Sequence, residues 1–357
     1  MKIAILGDAS FVPVQTLARF LLARGHTIEL LTFGSQDLGP EIPVRSLSDL
    51  GRSGLLLGRS RVKRLVEQIR PDVVHAFYLT SYGWLASGLH GTPVLATGMG
   101  TDVFGAPDLS PLMKPLRLFL VKRALSRADL LHSVAEHMTR RMIALGADPG
   151  RIVTFPRGID LHLFVPGPAC DRGGDETVLL CNRKLEAVYD HQTLLRGARL
   201  LAQGNERFHL RIVGGGTLEG GLRALSSALG LADRVEFEPA VPHARMPATL
   251  AGAQVFVSAS LSDGASSCLF EAMAVGLVPV VSDIPANRPW IQEGENGFLF
   301  APGDPASFAD AVRRALAHAD CWAEIRRANR ARIEASASLE HNLERVIGLY
   351  ERLIHRP

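Results

Sequence analysis

The residues best suited to chemistry lie between Ser258 and Asp283, reading SASLSDGASSCLFEAMAVGLVPVVSD. A short apolar run, Gln254 to Ser258, is predicted to form a strand. A Ser/Asp/Gly loop follows it, then a helix from near Ser266 and a second buried strand from Val278 to Ser282. Small residues at Gly264, Ser266 and Ser267 leave bare backbone N–H groups where the helix begins. That end carries about half a positive charge and unpaired donors, which suits a phosphate. Asp263 in the loop and Glu271 one to two turns into the helix set acids on both sides of the anion site. A carboxylate beside a phosphate site grips an uncharged, hydroxyl-rich group such as a ribose or a sugar, and the combination points to a sugar nucleotide. The plain alternative is a capping Asp and a Glu on a solvated helix face. Against it, Glu271 sits among Leu269, Phe270, Ala272, Met273 and Ala274, where an unpaired carboxylate is costly.

Three further clusters bear on the same chemistry. Asn182-Arg183-Lys184-Leu185 ends a predicted strand, and an arginine fork beside a lysine point charge can hold a diphosphate; a solvated basic pair is the alternative. Val213-Gly214-Gly215-Gly216-Thr217 follows a strand and opens a helix, with Glu236 or Glu238 about where a dinucleotide fingerprint places its ribose-binding acid. Glu219 stands where that fingerprint needs a small residue, so a tight turn bordering a nucleotide-sugar site, with Gly214 and Gly216 beside the donor, is the better reading than NAD. In the first half, Thr97-Gly98-Met99-Gly100-Thr101-Asp102 follows one strand and His75 ends another. Asp102 is expected to shape an acceptor side. His75 either faces the same way or is structural. No Ser-His-Asp or Cys-His arrangement can be read, and no metal-ligand spacing is visible.

The elements that must position these residues alternate between strand and helix along the whole chain of 357 residues. Strands are predicted at 2–6, 27–32, 73–76, 94–97, 130–133 and 152–155, then at 177–181, 209–213, 235–237, 254–258 and 278–282. Helices are predicted at 14–24, 192–203, 218–229, 246–251 and 305–317, with an amphipathic tail at 339–353. The alternation with short connections implies parallel strands covered by helices on both faces, in two doubly wound domains joined near Pro166-Gly167-Pro168 and a loop ending at Gly173-Gly174. A first domain over 1–165 with the 338–357 helix, and a second over 166–337, would leave a cleft facing the carboxyl ends of both sheets.

Net charge is uneven: residues 1–165 hold 19 Lys+Arg against 13 Asp+Glu, whereas the remainder holds 20 against 23. The basic residues concentrate in 52–70 and 114–127, both at helical spacing with apolar residues between them. Each is either an ordinary domain helix with a solvated basic face or a helix lying on an anionic membrane surface. The basic segments lack stacking aromatics, which argues against nucleic acid. Four cysteines without a CxxC pair suit a reducing cytoplasm, the MKIAILGDAS start reads as a first strand rather than a signal peptide, and no apolar run reaches membrane-spanning length.

The segment from Asp263 to Val281 resembles the nucleotide-sugar-binding motif of retaining GT-B glycosyltransferases of family four: two acids separated by seven residues, then A-M-A-x-G-x-P-V-V. Here the first acid is Asp263 rather than Glu, in a D-G-A-S-S loop. RIVTFPRGIDLHLFVP, LRIVGGGTLEGGLRAL and ENGFLFAPGDPASFADAV resemble further family segments in the family's order, so the resemblance spans essentially the full chain. It implies two Rossmann-like domains, with the last helix crossing back to the first. It also implies transfer of a sugar from a nucleotide diphosphate sugar to an acceptor hydroxyl with retention, in cell-surface polysaccharide or glycolipid synthesis, on a saccharide or lipid-linked acceptor. No cofactor or metal is implied. In the family the acid at Glu271 binds the ribose and the acid at Asp263 lies near the transferred sugar. An arginine matching Arg183 neutralises the diphosphate together with a later lysine, in whose place this chain has Tyr189 and Asp190 and, adjacent to the arginine, Lys184. Met99 replaces the family's histidine. These departures leave open a non-catalytic nucleotide-sugar-binding protein or partner subunit, and, less well matched by the two acids, a sugar-nucleotide epimerase. A cytoplasmic enzyme, peripheral at the inner membrane face if the basic helices touch lipid, is the resulting expectation.

Overall fold

The computed structural model describes the chain except for Ser35, 48–53, 106–110, 168–175 and 356–357, and without the side chains of 54–57 and Pro111. Arg52, Cys170 and the Gly173-Gly174 linker thus lie outside the described residues. The runs rich in Val, Ile and Leu form two all-parallel sheets. The first takes β1 (Lys2–Leu6), β2 (Thr27–Thr32), β3 (Val44–Ser46), β4 (Val73–Phe77), β5 (Val94–Gly98), β6 (Leu130–Ser133) and β7 (Ile152–Thr154) in the order β3-β2-β1-β4-β5-β6-β7. The second takes β8 (Thr177–Cys181), β9 (Phe208–Val213), β10 (Val235–Glu238), β11 (Val255–Ser258), β12 (Val278–Ser282) and β13 (Phe298–Phe300) in the order β10-β9-β8-β11-β12-β13. Central strands such as β4, β5 and β12 are buried along their whole length, as a parallel sheet covered on both faces requires. Period-two alternation divides each strand between two cores: in β8, Leu179 and Cys181 join one apolar cluster, Val178 and Leu180 the other.

The chain divides into one unit of Met1–Arg157 with His341–Pro357 and another of Gly158–Glu340. The change falls at Arg157, earlier than the expected 165, because Ile159 and Phe164 belong to an apolar cluster of the second unit. Close approach explains why glycine follows: a Cβ on Gly158, whose φ is +81°, would lie 2.7 Å from the backbone of Ser338 and Leu339. The basic helix Gly54–Ile69 turns Val62, Val66 and Ile69 inward, as an ordinary domain helix does. Among the described residues no helix is long and apolar enough to cross a membrane.

The C-terminal helix, Leu339–Ile354, is tied to the first sheet by a buried chain of hydrogen bonds. It runs from Tyr350 to His75 Nδ1 (2.6 Å), from His75 Nε2 to Thr97 Oγ1 (2.7 Å), from Thr97 to His132 Nδ1 (3.3 Å), and from His132 Nε2 to the Phe155 carbonyl (2.9 Å). The Phe155 carbonyl can only accept, so each hydroxyl and each imidazole N–H in turn has one role, and both rings are neutral. A proton added to either Nδ1 would face a donor. Burial, outweighing the Phe155 bond and aided by Arg345 and Arg157, lowers the His132 pKa to about 4, and burial together with His132 holds His75 well below the usual range. Histidines with depressed folded pKa values contribute stability that is complete above about 6.5 and lost as pH falls toward the folded value. From His132 alone the loss at pH 5 should be about 2 kcal/mol, seen as a lower thermal midpoint at pH 5 than at pH 7.5 and a flatter profile in His132→Gln.

Candidate active site

The second unit gathers most of the chemistry-bearing residues at the carboxyl ends of β8 and β11. Chain leaving β8 passes through Asn182 and Arg183; chain leaving β11 passes through Asp263 into the Ser267–Val275 helix. Arg183 is 7% exposed, its guanidinium donates to Asp263 Oδ2 at 2.5 Å, and it lies 4.1 Å above the Tyr189 ring. Burial works against its charge, but Asp263, then Cys268 and Tyr189, together raise its pKa above the ordinary arginine range, so the charge is permanent. Tyr189, standing where the resemblance would place a lysine, therefore serves as the platform that orients this arginine. Asp190 follows in the left-handed region, φ 43°, and caps the His191–Gln203 helix through Thr193.

Asp263 also accepts from the Gly264 N–H at 2.9 Å, and Ser266 Oγ lies 3.3 Å from its Oδ2. Ser266 occupies the N-cap position of the Ser267–Val275 helix without capping it; its hydroxyl donates instead to Asn287 Oδ1 at 2.7 Å. No side chain caps this helix start and no acid lies in its first turn, so its N–H groups keep their positive potential. Glu271 is on the buried side of the same helix, with its side chain 10% exposed, 3.2 Å from Nε2 of the half-exposed His243. Cys268 lies within electrostatic reach of Arg183, Glu271 and Asp263; burial first, and the two acids after it, push its thiol up to about 11 against the opposing pull of Arg183, so it is neutral at physiological pH. Arg183, Asp263, Gly264, Ser266 and Glu271 are thus one cluster. Lys184 is exposed beside it.

The glycine turn packs beneath the Arg183 loop. The Leu185 N–H donates to the Gly215 carbonyl at 3.1 Å and the Leu218 N–H to the Leu185 carbonyl at 3.0 Å. A Cβ on Gly214 would come within 2.7 Å of the Arg183 carbonyl oxygen, and one on Gly216 within 2.4 Å of that of Leu185. Gly214 and Gly216 are therefore explained by contact with the strand-end backbone, and of the two acids the dinucleotide reading could use, Glu238 is held by Arg211 at 2.5 and 3.0 Å and Glu236 lies 3.4 Å from His209 Nε2. Gly216→Ala should lower stability by about 3 kcal/mol in urea denaturation, since only backbone can yield. Gly215→Ala, whose Cβ meets nothing within 4 Å, should stay within about 0.5 kcal/mol.

The two first-unit candidates have different surroundings. Asp102 is buried and accepts from the N–H groups of Leu79, Met99 and Gly100 at 2.8–2.9 Å, so it shapes the loop after β5. Burial raises its pKa, with those N–H groups pulling the other way. His75 requires correction: both its nitrogens are used within the buried chain described above, so it supports the C-terminal helix and presents nothing to an acceptor. Among the described residues no group of three or more His, Cys, Asp and Glu is placed to hold a metal ion. Sequence reasoning did not find His243, Cys268 or Asn287. Only His243 left a signal, as a polar residue opening the short helical turn before Met246–Ala251.

Two parallel sheets, each in its own unit, with a charged cluster at the carboxyl strand ends of the second, are the architecture of the GT-B class. Residues 171–332 match the family model of the glycosyl transferases group 1, and residues 12–163 match that of Glycosyltransferase Family 4. Similar curated proteins include a D-inositol 3-phosphate glycosyltransferase of Geodermatophilus obscurus, 28% identical over 96% of this chain and 85% of that protein. Another, of the same name from Thermomonospora curvata, is 28% identical over 68% of this chain, which spans 63% of its length. Among solved structures, a sucrose-phosphate synthase from Thermosynechococcus elongatus superposes with TM-score 0.82 at 20% identity, covering 99% of both chains. Anabaena HepE in complex with UDP and glucose does so with TM-score 0.82 at 18% identity over 99% of this chain and 100% of that one.

Proposed function

We propose that this glycosyltransferase moves a sugar from a nucleotide diphosphate sugar to an acceptor hydroxyl with retention at the anomeric carbon. The observation that carries this reading is the uncapped start of the Ser267–Val275 helix beside a buried, oriented Arg183, with Glu271 one turn deeper. In the proposed mechanism the leaving diphosphate is stabilised by Arg183, Lys184 and the positive end of the Ser267–Val275 helix, with no metal required for its charge. Fixed donors aimed at developing charge are commonly the largest catalytic contribution. Glu271 accepts from the ribose hydroxyls. Asp263, which bonds Arg183, holds that guanidinium in place and orients the sugar from the same loop. The acceptor attacks from the face the diphosphate leaves: the bond from C1 to the diphosphate oxygen breaks, the bond from C1 to the acceptor oxygen forms, and the acceptor proton passes to a diphosphate oxygen. That route needs no enzyme base and is compatible with Met99.

The acceptor is a saccharide or lipid-linked hydroxyl of cell-surface polysaccharide or glycolipid synthesis. The relatives' name makes inositol 3-phosphate the first soluble acceptor to try. The test is incubation of the purified protein with UDP- and GDP-sugars and a panel of acceptors, with product configuration read by NMR. Released nucleoside diphosphate with a transferred sugar of unchanged configuration is expected. An inverted product, or nucleotide binding without transfer to any acceptor, would contradict the reading.

A further inference from the structure

Of ten large apolar side chains standing exposed among the described residues, half fall within residues 112–119: Leu112 at 89%, Met113 at 47%, Leu116 at 38%, Leu118 at 39% and Phe119 at 56%. They lie on and just before the Lys114–Arg127 helix, whose opposite face buries Leu120, Val121, Ala124 and Leu125 in the domain. A helix that has already packed one face has no folding reason to keep a second apolar face. Its charged positions are all of one sign: residues 112–127 contain Lys114, Arg117, Lys122, Arg123 and Arg127 and no acid. Arg117 is used internally, donating to the Thr101 and Asp102 carbonyls, but Lys114, Lys122 and Arg127 are exposed. Arg59 joins from the neighbouring helix, lying 4.6 Å from the Trp84 ring centroid, against which Phe119 packs at 5.6 Å. Burial, and after it the positive charges of Arg123 and Arg127, lower its pKa.

We propose that this face docks on an anionic lipid bilayer, with Leu112, Leu116, Leu118 and Phe119 entering the headgroup–acyl boundary and Lys114, Lys122 and Arg127 meeting lipid phosphates. The chemistry is that of an interfacial helix, in which apolar area and attraction to anionic lipid add. Charge also separates this occupant from a second copy of the chain, since a two-fold pairing of the face with itself would set cation against cation. The surface is independent of the donor site, so the two readings can fail separately.

The test is co-sedimentation of the full chain with vesicles of phosphatidylcholine mixed with phosphatidylglycerol, against phosphatidylcholine alone. Binding to the mixed vesicles, weakened by salt, is expected. The double substitution Leu112→Ser with Leu118→Ser should lower partitioning at least tenfold, and Lys122→Ala roughly fivefold, each with an unchanged thermal midpoint and unchanged nucleotide binding. No sedimentation with mixed vesicles, or sedimentation that ignores these substitutions, would overturn the proposal. Dimers in sedimentation velocity that the same substitutions dissolve would assign the face to a second copy and overturn it as well.

Discussion

Arg183→Met should reduce glycosyl transfer about a hundredfold or more, and should also destabilise the protein. The two losses have different causes and can be separated. Removing the guanidinium takes away the strongest fixed positive charge of the cluster, and loss of one preorganised donor at developing negative charge costs about a hundred- to a thousandfold in rate. It also strands Asp263, whose side chain is only 15% exposed and which loses its 2.5 Å partner. Breaking one side of a buried ion pair costs about 3–5 kcal/mol. Arg183→Met combined with Asp263→Asn should recover most of the stability, because neither residue is then an unpaired buried charge, while transfer stays low. Chemical denaturation and steady-state rates on the wild type, both single variants and the double variant measure the two effects. Recovery of activity in the double variant would show that Arg183 acts only as a structural partner of Asp263.

The second large effect is expected at Glu271. Glu271→Gln keeps the shape and a hydrogen bond to His243, so stability should hardly change. The charge that would accept from a ribose is lost. A hydrogen bond to a charged group contributes roughly 1.5–3 kcal/mol, so donor affinity should fall by about ten- to a hundredfold, with a smaller effect on the rate at saturating donor. Titration calorimetry of the nucleotide against both proteins checks this. Equal affinities would remove Glu271 from the donor site.

Much of this arrangement was legible because it rests on local chemistry. Strands β1, β4, β8, β11 and β12 announce themselves as β-branched runs between turns, and the helix after β11 follows from its small-residue loop. Two three-residue edge strands, Val44–Ser46 and Phe298–Phe300, were not legible, whereas a third of the same length, Ile152–Thr154, was read from its β-branched residues. The Trp322–Ser336 helix was hidden for another reason. Its inward face interrupts the apolar residues Ile325 and Ile333 with Asn329, a buried amide satisfied by Asn296 far away in sequence. Tyr78, with φ +65° at the start of a wide helical turn, breaks a backbone rule that no neighbour signals.

The site divides the same way. Residue types at Arg183, Asp263 and Glu271 pointed to phosphate and hydroxyl chemistry, but the pairing of Arg183 with Asp263 spans 80 residues and exists only once β8 and β11 lie side by side. His75 misled for the complementary reason. A strand-end histidine looks the same whether it faces solvent or a buried tyrosine, and the tyrosine here arrives 275 residues later.

A thermal-shift panel with UDP, GDP, ADP and CMP, run on the wild type and on Glu271→Gln, probes the nucleotide-sugar site itself. A nucleotide at a hundred times its dissociation constant adds about 2.7 kcal/mol to stability. One nucleoside diphosphate is expected to raise the wild-type midpoint, by less in Glu271→Gln at the same concentration. No stabilisation by any of the four, or an identical shift in both proteins, would contradict a nucleotide-sugar site built on Arg183 and Glu271.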